Sequence, residues 1–139
     1  MTRRVARPPV RVLLVDDSRR QREGWALLLG SQPDLQVVGE AGDGAHALAV
    51  ARVEPIDVVL MDIQMPRVNG LVATERILAD ARVREHGPAP RIILVTGVDL
   101  DAHVPAAAQA GAYAVLYKDV EPEALFGVIR EAALVRDEF

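Results

Sequence analysis

Residues 12–18 read Val-Leu-Leu-Val-Asp-Asp-Ser, so that four apolar residues run directly into two carboxylates and a hydroxyl. A short apolar run that ends in polar turn residues is typical of a buried β-strand. Ser18 is a preferred N-cap residue, and we predict a helix from there to Gly30. The unit is therefore a strand, a polar turn and a helix.

The same unit recurs four more times along the chain. We predict the further strands at residues 36–41, 56–61, 91–95 and 113–117. We predict the further helices at residues 45–53, 71–84, about 104–110 and 122–135. Pro105 and Pro122 suit the first helical turn, so the fourth helix is expected to be short and to begin near Val104.

These elements define a fold class. Strands that are apolar throughout are covered on both faces, and regular alternation with helices implies parallel strands joined by right-handed crossovers. We predict a single α/β domain over residues 11–136, a doubly wound five-stranded parallel sheet with five helices. Residues 1–10, rich in Arg and Pro, are predicted to be a disordered tail.

Composition excludes several classes of protein. The net charge of −4 argues against nucleic acid as the direct partner of this domain. The absence of cysteine excludes disulfides and thiolate metal sites, and His46, His86 and His103 lack ligand spacing, so we interpret them as surface residues. No apolar run approaches the ~18 residues of a membrane span, and no apolar signal core follows the basic N-terminus. We expect a cytoplasmic protein with no membrane partner.

Polar residues follow the predicted strands directly, and parallel strands deliver such residues to one rim of the sheet. The residues are Asp16, Asp17, Asp62, Thr96 and Lys118, the last being the only lysine of the chain. Clustered carboxylates repel each other unless a cation lies among them, and oxygen ligands favour a hard ion such as Mg²⁺, or Mn²⁺ in its place. A hydroxyl and an ammonium complete a set suited to a phosphoryl group. Asp62 is the best candidate for the nucleophile, because Asp16 and Asp17 are needed to hold the metal.

These motifs, taken together and in this order, resemble the signature of response-regulator receiver domains of two-component signalling. The resemblance covers about residues 10–136, and residues 37–44 with Lys118-Asp119 resemble the NarL/LuxR-type branch. The motifs are residues 14–18, residues 59–66 with Asn69-Gly70, Thr96-Gly97, and Gly111-Ala112 leading to Lys118. The resemblance implies a flavodoxin-like sheet with strand order 2-1-3-4-5.

The resemblance also implies roles for single residues. Asp62 would accept phosphate from a sensor histidine kinase or a small phosphodonor. Asp17, Asp62 and the backbone carbonyl of Gln64 would bind Mg²⁺ directly, and Asp16 would act through a metal-bound water. Thr96 would turn toward the phosphoryl group and Lys118 would pair with it.

The implied output is transcriptional. Members of this branch usually carry a C-terminal helix-turn-helix domain that binds DNA, which this sequence does not contain, and they can form homodimers. We expect an excised receiver of a longer regulator, with a naturally standalone receiver as the alternative. As a phosphoacceptor it would not be an enzyme, beyond its own phosphorylation and dephosphorylation.

The sequence departs from the family at two positions. Receiver domains usually have an aromatic residue or His three residues before the lysine, where this chain has Val115. Tyr113 and Tyr117 lie two residues to either side, and on a strand all three would share one face. Pro105 is expected to shorten the helix at the usual output face.

Two other functions stay open. The first is a receiver fold that acts as an interaction or dimerisation module without phosphorylation, which Val115 and Pro105 would favour. The second is a phosphatase with an aspartyl nucleophile. Such enzymes resemble Asp-x-Asp at the nucleophile, and here Gln64 stands where the general acid would be.

Overall fold

Strands and helices alternate along the chain in the computed structural model, which describes residues 7–137. The strands are β1 Val10–Val15, β2 Leu35–Ala41, β3 Val58–Asp62, β4 Arg91–Thr96 and β5 Ala114–Tyr117. The helices are α1 Arg19–Gly30, α2 Gly44–Val53, α3 Gly70–Ala79, α4 Ala81–Arg84, α5 Leu100–Ala110 and α6 Pro122–Asp137. Residues 1–6 of the predicted tail lie outside the described residues, and its last residue, Val10, begins β1.

All five strands are parallel, in the order β2-β1-β3-β4-β5, which confirms the predicted fold class. The register of the paired strands determines which residues lie side by side at the carboxyl ends of the strands. Val15 is paired with Met61, so Asp16, which follows β1, and Asp62, which ends β3, lie at the same level. Thr96 is paired with Tyr117, which brings Lys118 to the same rim.

Two apolar layers cover the sheet because its strands carry apolar side chains on both faces. Helices α2, α3, α4 and α5 pack on one face, where Ala47, Ile77 and Ala107 are buried against Leu13 and Met61. Helices α1 and α6 pack on the other face, which contains the only tryptophan, Trp25. No helix within residues 7–137 is long and apolar enough to cross a membrane.

The helix predicted over 71–84 was wrong in one respect, because it is divided at Asp80, so that residues 7–137 contain six helical segments. Asp80 has an extended backbone, and its Oδ1 accepts a hydrogen bond from the N–H of Val83 at 3.0 Å. An Asp side chain that caps a following turn competes with helix continuation. The new turn buries Val83 against the sheet.

Helix α5 was also predicted wrongly, because it begins at Leu100 and holds Pro105 in its interior. An interior proline removes one backbone hydrogen bond, here the one that the Asp101 carbonyl would accept. Both residues are exposed, so water can solvate that carbonyl. The acidic Asp101 in the first turn also favours an earlier start.

The expectation that Tyr113, Val115 and Tyr117 share one face was wrong for Tyr113. Val115 packs on the α2–α5 side of the sheet, whereas Tyr113 packs on the α1–α6 side together with Leu116. Tyr113 precedes β5 by one residue, so the two-residue alternation of a strand does not extend to it.

Candidate functional site

The three predicted carboxylates meet at the carboxyl ends of the two central strands. One oxygen each from Asp16, Asp17 and Asp62 lies within 4.8 Å of the other two. Asp16 and Asp62 are buried, at 0% and 2% exposure, whereas Asp17 faces solvent. Two buried carboxylates and an exposed one thus form a concentrated negative site at the rim of the sheet.

Lys118 reaches the same point from the end of β5. Its Nζ lies 3.0 Å from Asp16 Oδ2 and 3.1 Å from Asp62 Oδ2. The backbone positions it, because the Lys118 N–H donates to the Thr96 carbonyl at 2.9 Å and so continues the sheet beyond β5. One ammonium is therefore shared between two buried carboxylates.

The pKa shifts follow from this sharing. Burial raises the pKa of Asp62 and the charge of Asp16 adds to the rise, against the opposing hydrogen bonds from Lys118 and the Gln64 N–H. Burial acts to lower the pKa of Lys118, but its close contacts with the Asp16 and Asp62 carboxylates outweigh burial, so the pKa is raised. The site thus stabilises the charged form of Lys118 and still disfavours the charged form of Asp62. The pKa values of Asp62 and Lys118 are both raised for the same reason, because one ammonium does not compensate for the charge of two buried carboxylates.

Asp16 offers a test of whether a metal fits. Its Oδ1 accepts a hydrogen bond from the Ser18 N–H at 2.8 Å. Its Oδ2 is buried and accepts no well-oriented hydrogen bond, with only the ion-pair contact to Lys118. A buried oxygen left in this way, beside two further carboxylates, suits a hard divalent cation or a water bound to one. The donor set therefore fits Mg²⁺ or Mn²⁺.

The loop after β3 is held against Asp62 by a glycine. The Gly70 N–H donates to the Ile63 carbonyl at 2.9 Å, and Asn69 caps α3 by accepting from the Val72 N–H. A Cβ at position 70 would collide with the Asp62 carbonyl oxygen and lie 2.9 Å from the Ile63 Cα. Only glycine permits α3 to begin this close to Asp62. The Gln64 N–H, in the same loop, donates to Asp62 Oδ1 at 3.1 Å.

Thr96 lies buried at the end of β4 in a hydrogen-bond network. Its hydroxyl donates to the Val98 carbonyl at 2.7 Å. The Gln64 side-chain amide lies 3.2 Å from Thr96 Oγ1 and 3.0 Å from His103 Nε2. With the amide donating to both, His103 Nε2 acts as acceptor.

His103 is the site residue that sequence reasoning missed. We interpreted it as a surface residue, but it is partly buried and contacts Gln64. The predicted start of α5 near Val104 left His103 outside the helix, whereas the first turn in fact carries it to the site. With the correct helix start, its position seven residues after Thr96 would have indicated that His103 lies near the site.

Comparison with known proteins agrees with this geometry. The family model described as response regulator receiver domain matches residues 12–130. An uncharacterized transcriptional regulatory protein of Bacillus subtilis, YxjL, is 40% identical over 124 residues, which cover 89% of this chain and 54% of YxjL. The nitrate/nitrite response regulator NarP of Escherichia coli is 38% identical over 125 residues, 90% of this chain and 55% of NarP.

A solved structure is similar as well. The signal receiver domain of the response regulator NarL from Mycobacterium tuberculosis is 32% identical, with a TM-score of 0.80, over 91% of this chain and 98% of that one. The chain spans about half the length of YxjL and NarP.

Proposed function

The chain belongs to the response regulator receiver domain family, and from this premise we propose that it is a phosphoacceptor modified on Asp62 in a Mg²⁺-dependent reaction. One observation carries the proposal. The only lysine, Lys118, places its ammonium about 3 Å from two buried carboxylates, and a third carboxylate lies beside them. Such an arrangement is costly for stability and suited to phosphoryl transfer.

The chemistry can be assigned to atoms. A carboxylate oxygen of Asp62 attacks the phosphorus of a phosphohistidine on a sensor histidine kinase, or of a small phosphodonor. An O–P bond forms at Asp62, the bond from phosphorus to the donor breaks, and the donor nitrogen or oxygen leaves with the electron pair. Hydrolysis later restores the carboxylate when water attacks phosphorus and inorganic phosphate leaves.

The remaining residues stabilise charge on the transferred group. Lys118 would exchange the Asp62 carboxylate for a phosphoryl oxygen, because the phosphorylated carboxyl no longer carries its own negative charge. The Thr96 hydroxyl would leave the Val98 carbonyl and donate to another phosphoryl oxygen. Asp17, Asp62 and the Gln64 carbonyl would hold Mg²⁺, with Asp16 acting through a water. The ion, when bound, supplies positive charge that neutralises phosphoryl oxygens.

The relatives support a transcriptional output. YxjL is a transcriptional regulatory protein by name and NarP a response regulator, and the chain matches about half of each, so a DNA-binding output domain belongs to the proposal for the whole protein. Homodimerisation and a cytoplasmic location stay predictions. We propose no enzymatic turnover of other substrates, because the Gln64 amide cannot serve as the general acid that a phosphatase would need.

A second function is a binding module that works without phosphorylation. The observation in its favour is Val115, which packs against the α2–α5 core where the family usually has an aromatic switch residue. The intact carboxylate and lysine cluster favours the phosphoacceptor.

Intact mass spectrometry tests the proposal. Incubation with acetyl phosphate and Mg²⁺ should add one phosphoryl group, about 80 Da. The adduct should be absent without divalent metal and in Asp62→Asn. Asp57→Asn, which changes a carboxylate preceding the opposite end of β3, should keep it.

Beryllofluoride, a stable mimic of the aspartyl phosphate, separates a short lifetime from lack of reaction. If neither the adduct nor beryllofluoride binding is observed, the phosphoacceptor is excluded and the binding module is favoured.

A further inference from the structure

His103 connects the candidate site to helix α5 through side chains alone. Its Nε2 lies 3.0 Å from the Gln64 amide nitrogen, which lies 3.2 Å from the Thr96 hydroxyl oxygen. Thr96 is fully buried, and apart from Gln64 its hydroxyl bonds to the Val98 backbone, donating to the carbonyl at 2.7 Å and accepting from the N–H at 3.2 Å. The chain of contacts therefore runs from the end of β4, through the loop after β3, to the first turn of α5.

The first turn of α5 is weakly attached to the rest of the helix. Pro105 has no N–H for the Asp101 carbonyl, so one bond between the first and second turns is missing. The N-cap residue, Asp99, has a left-handed backbone with φ of 50° and makes no side-chain cap hydrogen bond. Ala102 is held by a 3.0 Å bond from its N–H to the Asp99 carbonyl. Among the described residues, the contact between His103 and Gln64 is the one side-chain hydrogen bond that links residues 100–104 to another part of the structure.

We propose that His103 is a positioning residue that ties the first turn of α5, residues 100–104, to Gln64 and Thr96, and that this turn is released when Thr96 moves toward a phosphoryl group on Asp62. The inference rests on the proposed function. It assigns to His103, Gln64 and Thr96 the coupling between site and surface that an aromatic residue at position 115 cannot perform here. Pro105 makes the released turn separable from residues 106–110.

The physical reason is competition for the Thr96 hydroxyl. That group now donates to the Val98 carbonyl and accepts from both the Gln64 amide and the Val98 N–H. When the hydroxyl turns to donate to a phosphoryl oxygen, its lone pairs turn with it, and the amide loses an aligned acceptor. Gln64 then holds His103 less firmly.

Amide hydrogen exchange of the whole chain, without any phosphoryl mimic, tests the tie itself. His103→Ala should speed exchange at the amides of residues 102–104 about two- to tenfold, the effect of one net hydrogen bond. This direction is opposite to the effect of propensity, because alanine favours helix. Gln64→Ala should have the same effect, and the double variant no more than either single one.

Two further variants control this experiment. His103→Gln, which keeps an acceptor for the Gln64 amide, should restore most of the protection. His46→Ala, the same change at an exposed residue in the first turn of α2, should leave α5 unchanged. Unchanged or slower exchange in His103→Ala, or additive effects in the double variant, would overturn the tie.

Beryllofluoride with Mg²⁺ tests the release. In the parent chain it should speed exchange at residues 102–104, and in His103→Ala it should give no further increase. Fluorine NMR reports binding independently. Binding without faster exchange overturns the release and leaves the phosphoacceptor intact, whereas the absence of both binding and the acetyl-phosphate adduct overturns the phosphoacceptor and the release together.

Discussion

Asp62→Asn should make the protein more stable in the absence of divalent metal and less responsive to Mg²⁺. The amide keeps the shape of the side chain and an oxygen for the Gln64 N–H, which now donates to Asp62 Oδ1. The substitution removes one of the clustered charges. Burial already raises the pKa of Asp62, which means that the folded environment disfavours this charge.

The magnitude follows from the distances. At an effective dielectric constant of about 20, a carboxylate no more than 4.8 Å away repels Asp62 by about 3.5 kcal/mol. Asp16 and Asp17 together repel by about 7 kcal/mol, and Lys118 at 3.1 Å attracts by about 5 kcal/mol. Screening of the exposed Asp17 reduces the difference between this repulsion and this attraction, and the desolvation of the buried Asp62 carboxylate adds to the net cost of its charge. We expect a gain of about 1–2 kcal/mol, the size common for stabilising substitutions.

Urea unfolding followed by Trp25 fluorescence measures this gain. Trp25 is the only tryptophan and is 3% exposed, so its emission should report the loss of the α1–α6 core. Mg²⁺ at 100 times its Kd should add about 2.7 kcal/mol to the parent chain and much less to the variant. KCl at equal ionic strength controls for screening. A variant that is less stable than the parent without metal, or equally stabilised by Mg²⁺, would refute the reasoning.

Four further substitutions, one of them a control, test other parts of the structure by urea unfolding. Gly70→Ala should lower the free energy of unfolding by about 1–3 kcal/mol through overpacking. At Gly24 an added Cβ would meet no atom within 4 Å beyond its chain neighbours and its own helix backbone. Gly24→Ala should therefore raise the free energy of unfolding by about 0.5–1 kcal/mol. A loss in both would point to a general intolerance of alanine. Lys118→Met leaves two buried carboxylates unpaired and should cost about 1–3 kcal/mol, part of it restored by Mg²⁺. The hydrogen bond from Arg130 lowers the pKa of Asp34, so the pair stabilises the fold above the unfolded pKa of about 3.9 and loses this effect as pH falls through the lower folded pKa. Asp34→Asn should therefore lower the free energy of unfolding by less than about 1 kcal/mol at pH 7, and should have no effect at a pH below the folded and unfolded pKa values of Asp34. An equal loss at the two pH values would assign the effect to packing.

The strands and their order could be predicted because they depend on strong local signals. Residues 12–15 and 58–61 are apolar without interruption, and all are fully buried. Uninterrupted apolar runs between helices require a parallel sheet that is covered on both faces. The rim residues could be predicted for the same reason, since Asp16, Asp62 and Lys118 are polar residues at the ends of mostly apolar strands.

The errors fall where two local preferences compete. Asp80 could continue a helix or cap a new one, and burial of Val83 favours the cap. Pro105 could begin a helix or interrupt one, and the single lost bond at an exposed position is a small cost. Such balances depend on tertiary contacts and solvent exposure, which the sequence pattern does not contain. His103 was missed as a consequence, because its role depends on where α5 begins.

The buried polar residues connect fold to function. Among the residues that the structure describes, four polar side chains are buried: Asp16, Asp62, Thr74 and Thr96. Thr74 has a local explanation, because its hydroxyl donates to the Gly70 carbonyl one turn earlier in α3. The other three terminate central strands and meet at one rim, where apolar side chains would stabilise the fold without an ionic cost. Local preferences that disagree with stability in this way mark functional sites, and here two of the three residues share the ammonium of Lys118.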